Sequence, residues 1–229
     1  MSDMSEKKPK QVKVFSDDEI WKNAGKYCEL AISLGASDAK AIPAEKVYVE
    51  HRVRTKCTIP RCPAYGQSAN CPPHSLEVPK IRDLVSECKC GVLVKLDLEP
   101  SLMVGDDLGE VDKDGNIVAT NELRQLLNRY RKLSDIVTQI ESQAFYDGHY
   151  LAVAFAAGSC RAHYCNFLDC TVLEGDPCRF ALRARPSMEG SGMDAFRMAS
   201  EAGWEIYPVG SDCKPADVPK GALLGIVLI

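Results

Sequence analysis

Four cysteines fall within the nineteen residues from Cys160 to Cys178, in GSCRAHYCNFLDCTVLEGDPC (158–178), directly after an apolar segment patterned like a strand. A second group, Cys57, Cys62 and Cys71, lies about ninety residues earlier in KCTIPRCPAYGQSANCPPHS (56–75). Both stretches are punctuated by proline, glycine and small polar residues, so the chain must run as loops there and build its regular structure around them. Eleven cysteines in 229 residues is below the density of a disulfide scaffold. Their grouping favours metal or cluster ligation.

The second loop is spaced Cys160-x4-Cys165-x4-Cys170-x7-Cys178. Thiolates on one irregular segment can each reach a separate corner of a [4Fe-4S] cubane, and thiolate softness suits iron. The same side chains can hold one Zn²⁺ tetrahedrally, although zinc knuckles tend to pair their ligands on two short arms, whereas this spacing is nearly even. Arg161, His163, Arg179, Arg183 and Arg185 surround the loop and would favour an anionic cluster, or else pair with ordinary carboxylates or an anionic partner. The first loop, Cys57-x4-Cys62-x8-Cys71, supplies three thiols, which leaves one iron of a cubane without a cysteine. His74 is the nearest fourth ligand in sequence, and Cys90 and Cys213 are the spare thiols. A cysteine nucleophile paired with His51, His74, His149 or His163 is the other chemical use, but grouped thiols exceed what one nucleophile needs. Neither a phosphate-binding glycine loop nor a His-Glu-x-x-His motif is present. Tyr65 and Tyr164, beside the cysteines, read as aromatic shields.

Outside the two loops the chain alternates helices and strands. Ser16 and Glu19 have capping-box spacing, and Ile20, Ala24, Cys28, Ala31 and Leu34 then form a helical stripe that Gly35 ends. Residues 45–54 alternate as a strand would, with His51 on the apolar side. A helix from Pro79 carries Ile81, Leu84, Val85 and Cys88, and residues 91–98 form a buried strand. An acidic, turn-rich excursion at 105–115 precedes one long helix of about 25 residues whose stripe runs from Leu123 to Ala144. Residues 150–158 are apolar on both faces, as in a central strand. A helix from about Met193 to Ala202, capped by Ser191 or Asp194, is followed by strands at WEIYPV (204–209) and ALLGIVLI (222–229). This alternation predicts an α/β layered sandwich with a mixed sheet. Residues 1–14 are expected to be a disordered tail and 15–229 one domain.

A near-balanced charge, 28 Lys+Arg against 32 Asp+Glu, offers no global attraction for nucleic acid or an anionic membrane. The start of the chain lacks the apolar core of a secretory signal, and no run reaches the length of a membrane span. The expectation is a cytoplasmic protein.

GASDAKAI (35–42), KCTIPRCPAYGQSANCPPHS (56–75), ESQAFYDGHYLAVAFAAGSC (141–160) and PCRFALRARPSMEGSGMD (177–194) resemble the predicted metal-binding family catalogued as domain of unknown function 2284. The resemblance implies an intracellular metalloprotein of the kind found largely in anaerobic bacteria and archaea. It also implies iron-sulfur ligation by Cys57, Cys62, Cys71, Cys160, Cys165, Cys170 and Cys178. The spacers between Cys160, Cys165 and Cys170 are longer than the family pattern. The expected function is electron transfer or reductive activation of a redox partner protein. It would use a [4Fe-4S] cluster on the second loop and a second cluster on the first. Two alternatives stand beside it: an iron-sulfur enzyme of oxidoreductase type, binding substrate at an open iron of the first loop, and a zinc-stapled interaction module.

Overall fold

A computed structural model of the chain describes residues 10–103, 110–111, 117–118, 120–209 and 213–229. The first helix, α1 (Asp17–Ser33), begins with the expected reciprocal cap: Glu19 N–H donates to Ser16 Oγ at 3.3 Å, and Ser16 N–H donates to Glu19 Oε2 at 3.0 Å. It stops at Gly35, whose φ of 91° is left-handed, and Ala36 N–H closes the end on Ala31 O at 3.0 Å. Ala24, Tyr27 and Ala31 are its buried face, with Cys28 packed alongside.

The chain turns into β1 (Asp38–Pro43), then a short extended piece and α2 (His51–Thr55). The strand expected over 45–54 is therefore replaced by a single bridge, Val49 to Met193, followed by helix. The pairing lasts only while Asp194 N–H reaches Tyr48 O at 2.8 Å and Glu50 N–H reaches Gly192 O at 2.7 Å. Beyond it Arg54 turns inward to satisfy carbonyls of residues 76 and 190, and His51 is exposed instead of facing the core. After the first cysteine loop come α3 (Val78–Ser86) and β2 (Cys90–Leu98). The short strands β3 (Glu110–Val111) and β4 (Ile117–Val118) pair as a hairpin, and the rest of the acidic excursion lies outside the described residues. The long helix is α4 (Asn121–Asp147), capped by Thr120, whose Oγ1 accepts from Leu123 N–H at 3.1 Å, and ended at Gly148. Then follow β5 (Val153–Phe155), one turn of helix α5 (Cys160–His163), α6 (Ala195–Glu201, capped by Asp194) and β6 (Gly221–Leu228).

The protein has the expected α/β class. Its four-stranded sheet has the order β1-β2-β6-β5, and all its pairings are antiparallel. The mixed character expected of it is confined to one isolated parallel bridge, Ala156 to Ser187. Two apolar layers sandwich the sheet. Val92, Val94 and Leu96 of β2 face α1 and α4, whereas Leu93 of β2 and Leu224, Ile226 and Leu228 of β6 face α3, α6 and the buried Met188 and Met193. This two-sided cover explains the unbroken apolar runs of β2 and β6. Gly225 lets α4 approach: a Cβ there would stand 2.9 Å from Val137 Cγ1 and 3.0 Å from Phe155 O.

Two further expectations are corrected. Residues 150–158 hold only a three-residue strand, and it sits at the sheet edge. It is nonetheless enclosed, because Ala154 N–H donates to Glu141 Oε1 at 2.9 Å while Ala156 exchanges bonds of 2.9 Å with Pro186 O and Met188 N–H. Residues 204–209 form no strand. Trp204 is instead buried against the sheet, its indole N–H donating to Asp38 Oδ2 at 2.7 Å and its ring covered by Lys40 and Lys95. Residues 1–9 lie outside the described residues, and Lys10 is docked on the end of α4 through Tyr146 O and Asp147. Among the described residues, no helix is long and apolar enough to cross a membrane.

Candidate metal centre

Chain leaving β5 passes Gly158, whose φ of 68° and missing Cβ let the backbone run against Tyr130 of α4, with only 2.8 Å from the ideal Cβ position to the ring. Ser159 and Cys160 follow. Cys160, Cys165, Cys170 and Cys178 all line one cavity, together with Ser68, Arg161, Tyr164, Thr171, Arg179, Phe180 and Ala184. No carboxylate is among these lining residues. The loop wraps the cavity through its own backbone: Phe167 N–H bonds Arg161 O at 3.1 Å, and Leu168 N–H bonds Cys165 O at 3.0 Å. Phe180 N–H points at Cys178 Sγ, 3.4 Å away.

Only two of the five cationic residues named from sequence line this cavity. Arg161 and Arg179 do so, propped by Leu168 O at 3.0 Å and Asp169 O at 2.7 Å. Arg183 forms a two-pronged pair with Asp135 of α4 at 2.8 and 2.5 Å, and Arg185 pairs with Glu141 of the same helix. These pairs fasten the loop to α4. Burial, helped by the nearby Arg131, pushes the His163 imidazole down to about 4, so it is neutral at pH 7, and its buried Nε2 has no hydrogen-bond partner among the described residues. Tyr164 closes the inner wall, its hydroxyl donating to Asp135 Oδ1 at 2.6 Å and its ring stacked on Phe180 at 5.3 Å. Tyr65, by contrast, is not among the residues lining this cavity and lies under the Arg61 guanidinium.

Cys57, Cys62 and Cys71 approach one another in the first loop. Desolvation raises the Cys57 thiol pKa, and the charges of Cys62, Cys71 and Glu189 add to it. Arg54, with its side chain 12% exposed, ties this loop down by donating to Leu76 O at 2.6 Å, Ser75 Oγ at 3.1 Å and Gly190 O at 2.9 Å.

The fold brings the two loops together. Cys71 Sγ donates to Ser159 Oγ at 3.5 Å, and Asn70 Nδ2 donates to Cys160 Sγ at 3.6 Å. Cys71, Cys160 and Ser68 are all buried at this seam. Burial pushes the Cys160 thiol up to about 11 against the opposing hydrogen bonds of Asn70 and Ser68. Thiols of this kind are protonated at pH 7, so a metal bound here would have to displace their protons.

Other thiols stand apart. Cys90 is fully buried in β2 with its thiol pushed up to about 12, and Cys28 and Cys88 are its neighbours, each raised by burial to about 11. Cys90 is thus a core residue and no ligand of either loop, and Cys28 and Cys88 fill the packing places expected of them. Cys213 leads into the turn Pro215–Asp217. His74 is exposed, with its backbone N–H on Cys71 O. Among the described residues, no three His, Cys, Asp or Glu side chains are arranged to hold a single metal ion. The donor chemistry does fit a larger thiolate-bound group at the second loop: soft ligands around one cavity, two guanidiniums, an aromatic wall and no carboxylate. The residues that motif spacing missed are Arg54, Tyr130, Asp135, Glu141 and Glu189. Of these, Glu141 and Glu189 fall within segments that carry the family resemblance.

Compared with known proteins, residues 40–229 match a family model described as "Predicted metal-binding protein (DUF2284)". No curated protein and no solved structure matches.

Proposed function

The chain belongs to this predicted metal-binding family, and from that premise we propose that it is an iron-sulfur protein carrying two adjacent centres, which passes electrons to a redox partner in the cytoplasm. Cys160, Cys165, Cys170 and Cys178 would hold a [4Fe-4S] cluster, and Cys57, Cys62 and Cys71 a second. Such a group supplies one-electron transfer when bound. The observation that carries the proposal is the seam. One thiol–hydroxyl contact of 3.5 Å, from Cys71 to Ser159, links the first group to the residue beside Cys160.

The surrounding residues have matching tasks. Arg161 and Arg179 offset the negative charge of a thiolate-bound cluster and favour its reduction. Tyr164 and Phe180 exclude water from the inner side. Leu168, Val172, Leu173 and Leu182 stand exposed on the same segment, which suits a docking face for a partner around the second loop. The open-iron enzyme is a second reading, favoured by the first loop having three thiols, which leaves one iron of a cubane without a cysteine. Anaerobically purified protein is expected to be brown and to contain iron with acid-labile sulfide. Colourless protein holding only stoichiometric zinc would contradict the proposal and favour the stapled module.

A further inference from the structure

The turn that carries Cys71 reaches into the cavity of the other loop. Cys71 N–H bonds Ser68 O at 3.1 Å, and Gly66, left-handed at a φ of 77°, donates its N–H to Pro72 O at 2.7 Å. These bonds fold residues 66–72 back on themselves and set Ser68, fully buried, against the second loop. Ser68 lines the cavity shared by Cys160, Cys165, Cys170 and Cys178, where every other lining residue comes from 160–184.

The contact is with one sulfur. Cys160 Sγ lies 3.9 Å from Ser68 Oγ and accepts from Asn70 Nδ2 at 3.6 Å, while Ser159 Oγ beside it meets Cys71 Sγ at 3.5 Å. Cys160 is 8% exposed. So little water reaches this sulfur that protein groups decide how well it carries negative charge. A serine hydroxyl rotates to donate to a thiolate, and an asparagine amide brings two N–H donors. Packing alone would be served at lower cost by apolar side chains at both positions.

We propose that Ser68 and Asn70 are positioning residues that hydrogen-bond the Cys160 thiolate, so that the first loop sets the reduction potential of the centre on the second. This assignment rests on the iron-sulfur proposal above. Donors to a ligand sulfur stabilise the more negative, reduced state more than the oxidised one and raise the potential. Cys71 sits on the same turn as both donors, so the geometry that holds the first centre also holds the donors to the second.

The test uses the full-length chain purified anaerobically, with iron and sulfide analysis and redox titration followed by electron paramagnetic resonance. The second-loop signal is the one that Cys178→Ser removes. Asn70→Leu should keep its iron and lower the midpoint potential of that signal, equivalent to a roughly three- to tenfold change in the reduction equilibrium. Ser68→Ala should move it the same way, and as the deletion of one oxygen it keeps the test decisive if the leucine variant folds poorly. Gln67→Ala, exposed on the same turn, should match the wild type. The assignment is overturned if Asn70→Leu and Ser68→Ala both retain iron and the wild-type potential, or if the first-loop signal shifts and the second does not. Wild-type protein with zinc and no sulfide would instead defeat the iron-sulfur proposal. Chelator competition would then decide the donor role: Asn70→Leu should weaken zinc binding at the second loop at least about tenfold, and unchanged affinity rejects the role.

Discussion

The two thiol groups are built in opposite ways. The second draws its four cysteines from one stretch of nineteen residues and its wall from that stretch and the residues just after it, with Ser68 of the first loop added, so here sequence neighbours mostly become spatial neighbours. The first has three cysteines on one loop and is tied down from elsewhere, by Arg54 before it, which also bonds Gly190 O on a segment far along the chain. A centre with a local ligand set can be tuned as a unit. One held in place by contacts from remote segments reports on the fold around it. The difference fits one centre that stores and relays charge and one that meets small molecules.

The largest effect that would break this contrast is at Arg54. Replacing it with methionine leaves several buried carbonyl and hydroxyl acceptors without their shared donor, at a cost of roughly 3 kcal/mol. Urea unfolding should register the loss, and metal analysis should find the first loop depleted while the second keeps its iron. Equal loss from both loops would mean that they form one indivisible unit. Next, neutralising the cations of the local centre, by Arg161→Gln or Arg179→Gln, should lower the midpoint potential of the second centre by on the order of tens of millivolts. Redox titration should show the first centre shifting less.

Thiols outside both groups sharpen the contrast from the other side. Cys90→Ala removes a fully buried sulfur from β2 and should cost about 1 kcal/mol without changing iron or sulfide content. A fall in iron would return this cysteine to the ligand set. The smallest effect concerns the clasp formed by Phe15 on His149, whose rings stack at 4.1 Å and whose Nε2 lies 3.0 Å from Asn23 Nδ2. Burial holds the His149 pKa below its usual value, with Lys10 acting in the same direction and Asp147 against it. The folded state then binds the proton more weakly than the unfolded chain, so this contribution is complete above a pH of about 6.5 and is lost as pH falls below it. His149→Phe should flatten that part of the stability profile, measured by thermal unfolding, and leave the metal content unchanged.

What was legible in the sequence follows the same division. Capped helices such as α1 and α4, and the buried strands β2 and β6, carry their signals locally and lie where their patterns place them. The grouping of the second-loop thiols was equally visible. Residues 45–54 misled because apolar alternation does not reveal that pairing ends at Glu50, where Gly192 supplies the last bond. WEIYPV misled because Trp204 is buried as a side chain anchored to Asp38 and not as part of a sheet. The tie between the first loop and the turn at Gly190 was invisible because it depends on Arg54 reaching a segment more than a hundred residues away in sequence. The cations beside the second loop looked like one patch, but Arg183 and Arg185 serve as fasteners to α4 and His163 is neutral.

The central claim is that two centres lie side by side across the Cys71–Ser159–Cys160 seam. Electron paramagnetic resonance of the fully reduced wild-type protein, compared with Cys178→Ser, tests it most directly. The account predicts a broadened spectrum of two interacting spins in the wild type that collapses to a single simple signal when the second centre is disrupted. Two sharp, independent signals, or one signal that Cys178→Ser leaves unchanged, would contradict it.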